Sequence, residues 1–170
     1  MDRFDKERAS EMVLYILNVT GGADIYHIVK ILYFAEMKHL AKHGIGFVPG
    51  GFSAWKYGPV PTEVYEMLSA RHHGSPFVML PDDASGIFVA GRDADMDYLS
   101  KAEAEAIGQS IEENAGLSFN ELVGKSHDEA WRAAGSNGRL SPKLIAKAGG
   151  ASEGMLEYVG EQMEVDLALS

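Results

Sequence analysis

Residues 24–43 carry two separate apolar stripes at helical spacing, and this pattern constrains the fold more than any other feature of the sequence. One stripe contains Ile28, Ile31, Leu32, Ala35 and His39, and the other contains Tyr26, Tyr33 and Met37. A helix with one apolar stripe covers a core from outside, whereas a helix with two stripes packs on two sides. We therefore predict a central helix that begins at a cap on Asp24 and runs to about His43, where Gly44 and Gly46 end it.

The segments around this central helix predict further helices and one hairpin. The predicted elements are a first helix from a cap on Asp5 to about Val19, ended by Thr20-Gly21-Gly22, a third helix from Pro61 to about His72, and a hairpin formed by Phe77–Leu80 and Ile87–Ala90. Phe47 to Trp55, broken by Pro49-Gly50-Gly51, predicts an extended or hairpin segment. The predicted fold class is therefore mainly α with a small β element (α+β), a compact helical domain with a hairpin after the third helix.

Serine residues mark the starts of the later helices. Ser100 with Glu103, Ser118 with Glu121 and Ser126 with Glu129 each match the capping box, in which the hydroxyl and the carboxylate satisfy free amides at the helix start. Ser141-Pro142 opens another helix, and Gly149-Gly150 precedes a last helix over about Glu153–Leu167.

Composition limits the classes of function. The chain has 170 residues and a net charge of −10. It contains no cysteine, which excludes disulfides and zinc sites built on thiolates. Residues 1–85 contribute −2 and residues 86–170 contribute −8, so the charge does not favour nucleic acid and suits a basic protein partner. We expect no membrane span and no signal peptide, and therefore a cytoplasmic protein.

Two clusters have the residue types of active sites. Glu36, His39 and His43 share a helix face and offer three metal ligands, although the spacing is not that of a zincin motif. Because His39 lies on the more apolar stripe, we favour a buried, hydrogen-bonded histidine over a metal site. Ser126-His127-Asp128 has the residue types of a catalytic triad, but adjacent residues at a helix start point apart, so capping is the better interpretation.

The segment Trp55-Lys56-Tyr57-Gly58-Pro59-Val60-Pro61 combines aromatic residues with a rigid corner. We predict that the two aromatic residues alternate along an extended strand with Lys56 facing the other side, and that Gly58-Pro59 makes the corner. Such rigidity suits a structural keystone and equally a preorganised binding edge, since Trp and Tyr are the residue types that carry interface energy. From the residues alone we favour the structural role slightly.

These residues also resemble a known family. Lys30 to Ala35 with His39 on the same helix, then Ala54 to Val60 and Glu63-Val64-Tyr65, are similar to the Panacea domain of SocA-like antitoxins, a phage-associated, GepA-like family. Ser126 to Glu129 with Trp131 is similar to a later segment of that family. The resemblance covers residues from about 9 to about 133. It marks as structural motif residues Lys30, Tyr33, His39, Gly58, Pro59, Tyr65, His127 and Trp131.

The resemblance implies a bacterial or phage-borne antitoxin that binds a cognate toxin directly. It implies no catalytic residue, no cofactor and no metal, and hence no enzyme. The toxin would be encoded by the adjacent gene, and Trp55, Lys56 and Tyr57 are the predicted partner contacts. Two alternatives remain open at this point: a winged-helix-like transcriptional regulator that binds DNA, and a metal-dependent hydrolase that uses the Glu36 cluster.

The last helix carries a separate hypothesis. We divide the chain into a Panacea domain over residues 1–150 and an acidic amphipathic helix over 151–170, which is either an appendage or part of the same domain. Ser152 to Ser170 contains five acidic residues and no Lys or Arg. Met155, Val159 and Met163 lie on its apolar stripe and are predicted partner contacts, because methionine-rich faces adapt to partners. The alternative is that this stripe closes the protein's own core.

Overall fold

A computed structural model describes residues 1–70, 76–79 and 86–170. The helices of this part are α1 (Arg3–Thr20), α2 (Ile25–His43), α3 (Thr62–Ser69), α4 (Lys101–Asn114), α5 (Phe119–Ser126), α6 (Glu129–Ala134), α7 (Pro142–Ala148) and α8 (Glu153–Leu169), with a 3₁₀ turn at Met96–Tyr98. The strands are β1 (Ser53–Trp55), β2 (Gly58–Val60), β3 (Phe77–Met79) and β4 (Phe88–Ala90). The predicted mainly α fold with a small β element is confirmed.

Helix α2 is the central element, as its two apolar stripes predict. It packs against α3, α4, α5, α7 and α8, and Asp24 caps it by accepting a hydrogen bond from the amide of His27. Gly44 ends it in the left-handed conformation. Because α2 is covered on several sides, its polar residues Lys30, Glu36 and His39 are buried with its apolar ones. Burying such polar side chains is unfavourable unless they are hydrogen-bonded, so each of them requires a partner within the protein.

The first helix begins earlier than its predicted cap. Asp2, not Asp5, is the N-cap, and the Oδ1 atom of Asp2 accepts a hydrogen bond from the Asp5 amide at 2.8 Å. The prediction was wrong because two aspartates stand three residues apart, and the earlier one adds nearly a turn to the helix. Gly21 ends α1 with φ of +78°.

The capping boxes differ in outcome. At Ser100 both hydrogen bonds of the box are present, and the Ser118 hydroxyl accepts the Glu121 amide at the start of α5. The predicted box at Ser126 is wrong, because Ser126 is the last residue of α5 and its hydroxyl donates to the Val123 carbonyl. Asp128 caps α6 instead, since a short bend at residue 127 separates the two helices.

Two hairpins complete the fold. The β3–β4 hairpin is antiparallel and lies after α3 as predicted, with Phe88 bridged to Ala23 beside the start of α2. Residues 80–85, which include Leu80 at the end of the first predicted strand, and the predicted helix end near His72 lie outside the described residues. In the β1–β2 hairpin, the outer edge of β1 accepts the loop between α6 and α7, through Asn137 and Gly138. No helix in the described part of the chain is long and apolar enough to cross a membrane.

Candidate partner-binding surface

The β1–β2 hairpin reverses the chain at Lys56 and Tyr57, which form its tip. Trp55 lies opposite Gly58 in the antiparallel ladder. The predicted strand through Trp55 to Tyr57 with a corner at Gly58-Pro59 is therefore wrong, because Gly58 and Pro59 belong to the returning strand. The tight reversal is possible because Gly58, directly after the tip, has φ of +114°, a conformation that glycine adopts without steric cost.

A buried lysine lies directly beneath this hairpin. Lys30 is 2% exposed, and its Nζ atom donates to the carbonyl of Pro59 at 2.9 Å. Burial lowers the pKa of Lys30 to about 8, since no carboxylate pairs with the ammonium in the described part of the chain. A Cβ atom on Gly58 would lie 3.1 Å from the Lys30 Nζ atom and would collide with the Ser126 hydroxyl. Glycine is therefore required here both for its conformation and for its size.

Helix α6 ties the hairpin to α2. The Tyr33 hydroxyl donates to Asp128 Oδ2 at 2.6 Å, and Asp128 Oδ1 accepts the amide of Trp131 at 3.0 Å. Burial, followed by the hydrogen bond and charge of Asp128, raises the pKa of Tyr33 above its ordinary value, so the phenol is neutral. The Trp131 Nε1 atom donates to the Trp55 carbonyl at 2.8 Å. Asp128 and Trp131 thus connect α2, α6 and β1.

His127 completes a polar layer beneath the hairpin, which we call the polar base and which consists of Lys30, Tyr33, His127, Asp128 and Trp131. Its ring stacks on Trp131 with centroids 3.8 Å apart and planes 1° from parallel. The buried Nε2 atom of His127 has no hydrogen-bond partner among the described residues. Burial, followed by the nearby charge of Lys30, lowers the pKa of His127, so the ring is neutral at pH 7. A neutral ring beside a buried ammonium adds no second positive charge to the interior.

The structure brings most of the predicted motif residues to this one place. Those in or directly around the hairpin are Lys30, Tyr33, Gly58, Pro59, His127 and Trp131. Tyr65 joins them through its ring contact with Trp55 at 5.0 Å. His39 lies apart, near the other end of α2, where its Nδ1 atom donates to the Ile45 carbonyl at 2.6 Å. The buried, hydrogen-bonded histidine expected there is confirmed.

The tip of the hairpin belongs to a larger exposed surface. Tyr57 is 45% exposed, and its ring lies 5.4 Å from that of Phe119, which is 37% exposed. Phe119 in turn lies 5.3 Å from Tyr26, which is 43% exposed. The Nζ atom of Lys56 is 5.3 Å from the centre of the Tyr57 ring. We call Tyr26, Lys56, Tyr57 and Phe119 the aromatic surface.

Sequence reasoning identified only half of this surface. Tyr26 was assigned to an apolar stripe of α2 and Phe119 to a helix start, and neither was predicted as a contact. Both residues occupy the first turn of their helices: Tyr26 is the second residue after the cap Asp24, and Phe119 is the first after the cap Ser118. First-turn side chains point back past the helix start, so aromatic residues at these positions were the available signal. Their convergence with Tyr57 depends on tertiary packing.

The predicted contacts on α8 face inward. Val159 is buried in the common core, and Met155 and Met163 are partly buried against it. A Cβ atom on Gly44 would lie 2.6 Å from the Tyr158 ring and 2.8 Å from the Met155 Sδ atom, so α8 packs closely on the end of α2. Val159 is therefore covered by the protein's own core, whereas Met163 also borders an open cleft.

The three residues of the alternative metal site, Glu36, His39 and His43, make contacts of another kind. Glu36 Oε1 accepts the amides of Phe47 at 2.6 Å and Val48 at 3.2 Å. Burial raises the pKa of Glu36 to about 7, although these two hydrogen bonds act in the opposite direction. His39 and His43 contact each other through their rings, with centroids 4.9 Å apart. Within residues 1–70, 76–79 and 86–170, no group of three or more His, Cys, Asp or Glu residues is arranged to hold a metal ion.

Comparison with known proteins agrees with this geometry. A model of the family described as "Antitoxin SocA-like, Panacea domain" matches residues 28–132, more than half of the chain. These residues include α2 from Ile28 onward, both hairpins and Trp131. Antitoxin SocA from Caulobacter vibrioides (strain NA1000 / CB15N) is 48% identical over 42 residues, which cover 25% of this chain and 22% of that protein. No solved structure matches the chain.

The family match covers the segments that build the hairpin and its polar base. Lys30 and Trp131 stand near its two ends and reach the same hairpin from opposite sides. The chain belongs to the SocA-like antitoxin family of Panacea domains.

Proposed function

We propose that this protein is an antitoxin that neutralises a cognate toxin in the cytoplasm by binding it directly through the aromatic surface. The match of residues 28–132 to an antitoxin family carries this proposal. The relative from Caulobacter vibrioides bears the name antitoxin, which supports the same role here. The adjacent gene is the expected source of the toxin.

The aromatic surface has the chemistry of a binding hot spot. Interfaces gain most of their energy from a few Trp, Tyr and Arg side chains that become fully desolvated. Tyr57, Phe119 and Tyr26 are held in edge-to-face contacts, so they lose little side-chain freedom when a partner covers them. Removing one central aromatic side chain from such an interface costs about 2 kcal/mol, or roughly 30-fold in Kd.

The polar base holds the hairpin in position before a partner arrives. Lys30 fixes β2 through Pro59, and Trp131 fixes β1 through Trp55. Because the tip is anchored from both strands, binding orders little additional backbone. The buried network thus contributes to affinity indirectly, by preorganising Lys56 and Tyr57.

Neutralisation follows from occlusion. In this proposal the antitoxin holds the toxin in a stoichiometric complex. Coverage of a toxin surface or active site requires an interface of about 800 Å² on each partner. The aromatic surface would form the centre of that interface, with polar residues of α2 and α5 around it.

Co-expression tests the proposal. The product of the adjacent gene is expressed alone, with the wild-type protein, and with a Tyr57→Ala/Phe119→Ala variant. Phe4→Ala is the matched control, since Phe4 is an aromatic residue on α1 that is 61% exposed. We expect growth arrest by the neighbouring product alone, rescue by wild type and Phe4→Ala, and loss of rescue with the double variant. A neighbouring product that is harmless alone would contradict the proposal.

A further inference from the structure

Helix α8 presents an acidic stripe that forms no ion pair within the described residues, although the Lys143 Nζ atom reaches α8 and would lie 3.4 Å from a Cβ atom on Gly160. Four exposed glutamates form this stripe: Glu153, Glu157, Glu161 and Glu164. They are spaced by four, four and three residues, so they share one face of the helix. Within the described residues none of them forms an ion pair, although Arg and Lys residues pair with acids on other helices. The helix itself has no Lys or Arg.

An exposed apolar stripe runs beside these acids. Tyr158, Val165 and Leu169 lie seven and four residues apart, which places them on one side of the helix. They are 41%, 48% and 82% exposed. Isolated exposed apolar residues are ordinary, but three large ones on one side of a helix are typical of an interaction surface.

A cleft lies next to the apolar stripe. Its volume is about 870 Å³, and the second half of α8 forms one wall. The glycine-rich segment 44–46 lies at its base, and residues 139–142 at the start of α7 form the other wall. Leu167, which is 74% exposed, extends over the cleft together with Met163. The cleft can receive apolar side chains from a partner that lies along α8.

The first half of α8 is anchored, so this surface keeps its position. Val159 is buried in the common core, and Tyr158 and Met155 pack over Gly44. From Glu164 onward every residue of α8 is exposed. The helix thus extends outward from a fixed base.

We infer that α8 and its cleft dock a basic amphipathic helix of the toxin. This inference rests on the proposed function and adds to it the chemistry of the partner. Lysine or arginine side chains of the incoming helix would pair with Glu157 and Glu161, while its apolar face covers Tyr158 and Val165 and enters the cleft. Helix α8 lies outside residues 28–132, the region that matches the family, whereas segment 44–46 of the cleft lies within it.

Charge selects this occupant over the others. A second copy of the chain docked along α8 would bring two acidic stripes together, and like charges across an interface oppose association. Nucleic acid and anionic lipid headgroups are repelled for the same reason. A basic helix gains from the acids and buries the apolar row in the same step.

The experiment uses the full chain and a defined probe. A synthetic amphipathic helical peptide of leucine and lysine is titrated into wild type, into Glu157→Lys/Glu161→Lys and into Glu66→Lys/Glu112→Lys. The last variant is the matched control, because Glu66 and Glu112 are exposed, lie on other helices and form no ion pair in the described chain. We expect the α8 variant to weaken binding about tenfold, and the control to bind like wild type. Equal weakening in both variants would overturn the inference.

Three further readouts complete the test. Leu169→Ser and Val165→Ser should weaken peptide binding without lowering the melting temperature, because both residues are exposed. Light scattering should show that these substitutions leave the oligomeric state unchanged, and a dimer that they dissociate would make a second copy the occupant and overturn the inference. If wild type neutralises the toxin and Glu157→Lys/Glu161→Lys does so with the same affinity, the docking inference fails while the proposed function stands.

Discussion

Replacing Lys30 with Met should remove an alkaline rise in stability that the wild-type protein shows. Lys30 is 2% exposed and has a pKa of about 8 in the folded protein, compared with 10.5 for an ordinary lysine. Below pH 8 the folded state must hold a buried ammonium, whereas the unfolded chain holds the same charge in water. Between pH 8 and 10.5 the unfolded chain binds more protons, so the free energy of unfolding rises with pH.

The magnitude follows from the difference in pKa. A depression from 10.5 to about 8 corresponds to about 3 kcal/mol, fully present above pH 10.5 and lost as the pH falls through 8. Met has a similar length and carries no charge, so Lys30→Met should show none of this rise. At pH 7 the variant escapes the cost of burying the ammonium, but it leaves the Pro59 carbonyl without its donor, which costs about 1–3 kcal/mol. We therefore expect Lys30→Met to change the free energy of unfolding little at pH 7, and to change strongly the slope with which this free energy rises with pH.

Urea unfolding at several pH values between 7 and 10.5 measures this slope. Other groups titrate in the same range, so the quantity of interest is the difference between wild type and variant. Lys56→Met is the control, because Lys56 is exposed at the hairpin tip. If Lys30→Met and Lys56→Met change the slope equally, the ammonium of Lys30 is not buried beneath the hairpin and the reasoning is refuted.

Three further predictions concern the interior and the alternative function. Because the pKa of Glu36 is raised to about 7, its contribution to the free energy of unfolding is present below pH 4.5 and is lost as the pH rises to about 7. In urea unfolding at several pH values, Glu36→Gln should therefore remove about 3 kcal/mol of pH dependence between pH 4.5 and 7. An unchanged pH dependence would mean that this carboxyl is exposed to water. Gly58→Ala should lower the free energy of unfolding by roughly 2–4 kcal/mol, because it adds both backbone strain and overpacking. Gly21→Ala is the control, since a Cβ atom there meets open space and adds the strain alone. Equal losses of stability in urea unfolding would contradict the close approach of Gly58 to Lys30. The DNA-binding alternative predicts a steep salt dependence in a mobility-shift titration, and the net charge of −10 leads us to expect no binding at physiological salt.

The sequence was most informative about local structure. The two stripes of α2 determined its central position, and the caps at Asp24 and Ser100 were predictable because a short polar side chain before an apolar run has few other uses. Asp2 was missed because Asp5 offers the same chemistry three residues later. Ser126 was misassigned because Asp128 offers a competing cap two residues away.

The candidate site was predictable only in part. Trp55, Lys56 and Tyr57 were predicted as contacts. Lys56 and Tyr57 are exposed at the hairpin tip, whereas Trp55 is partly buried. Their neighbours Tyr26 and Phe119 come from two other helices, and only packing in three dimensions brings these rings together. On α8 the apolar stripe around Val159 was visible in the sequence, but no pattern in one chain distinguishes a stripe that covers its own core from one that awaits a partner.

Isothermal titration of the purified protein with the purified product of the adjacent gene tests the central claim most directly. We predict a stoichiometric complex whose Kd rises roughly 30-fold or more with Tyr57→Ala/Phe119→Ala and is unchanged with Phe4→Ala. Unchanged affinity in the double variant would exclude the aromatic surface as the toxin contact. The absence of any heat of binding with wild type would contradict neutralisation by direct binding.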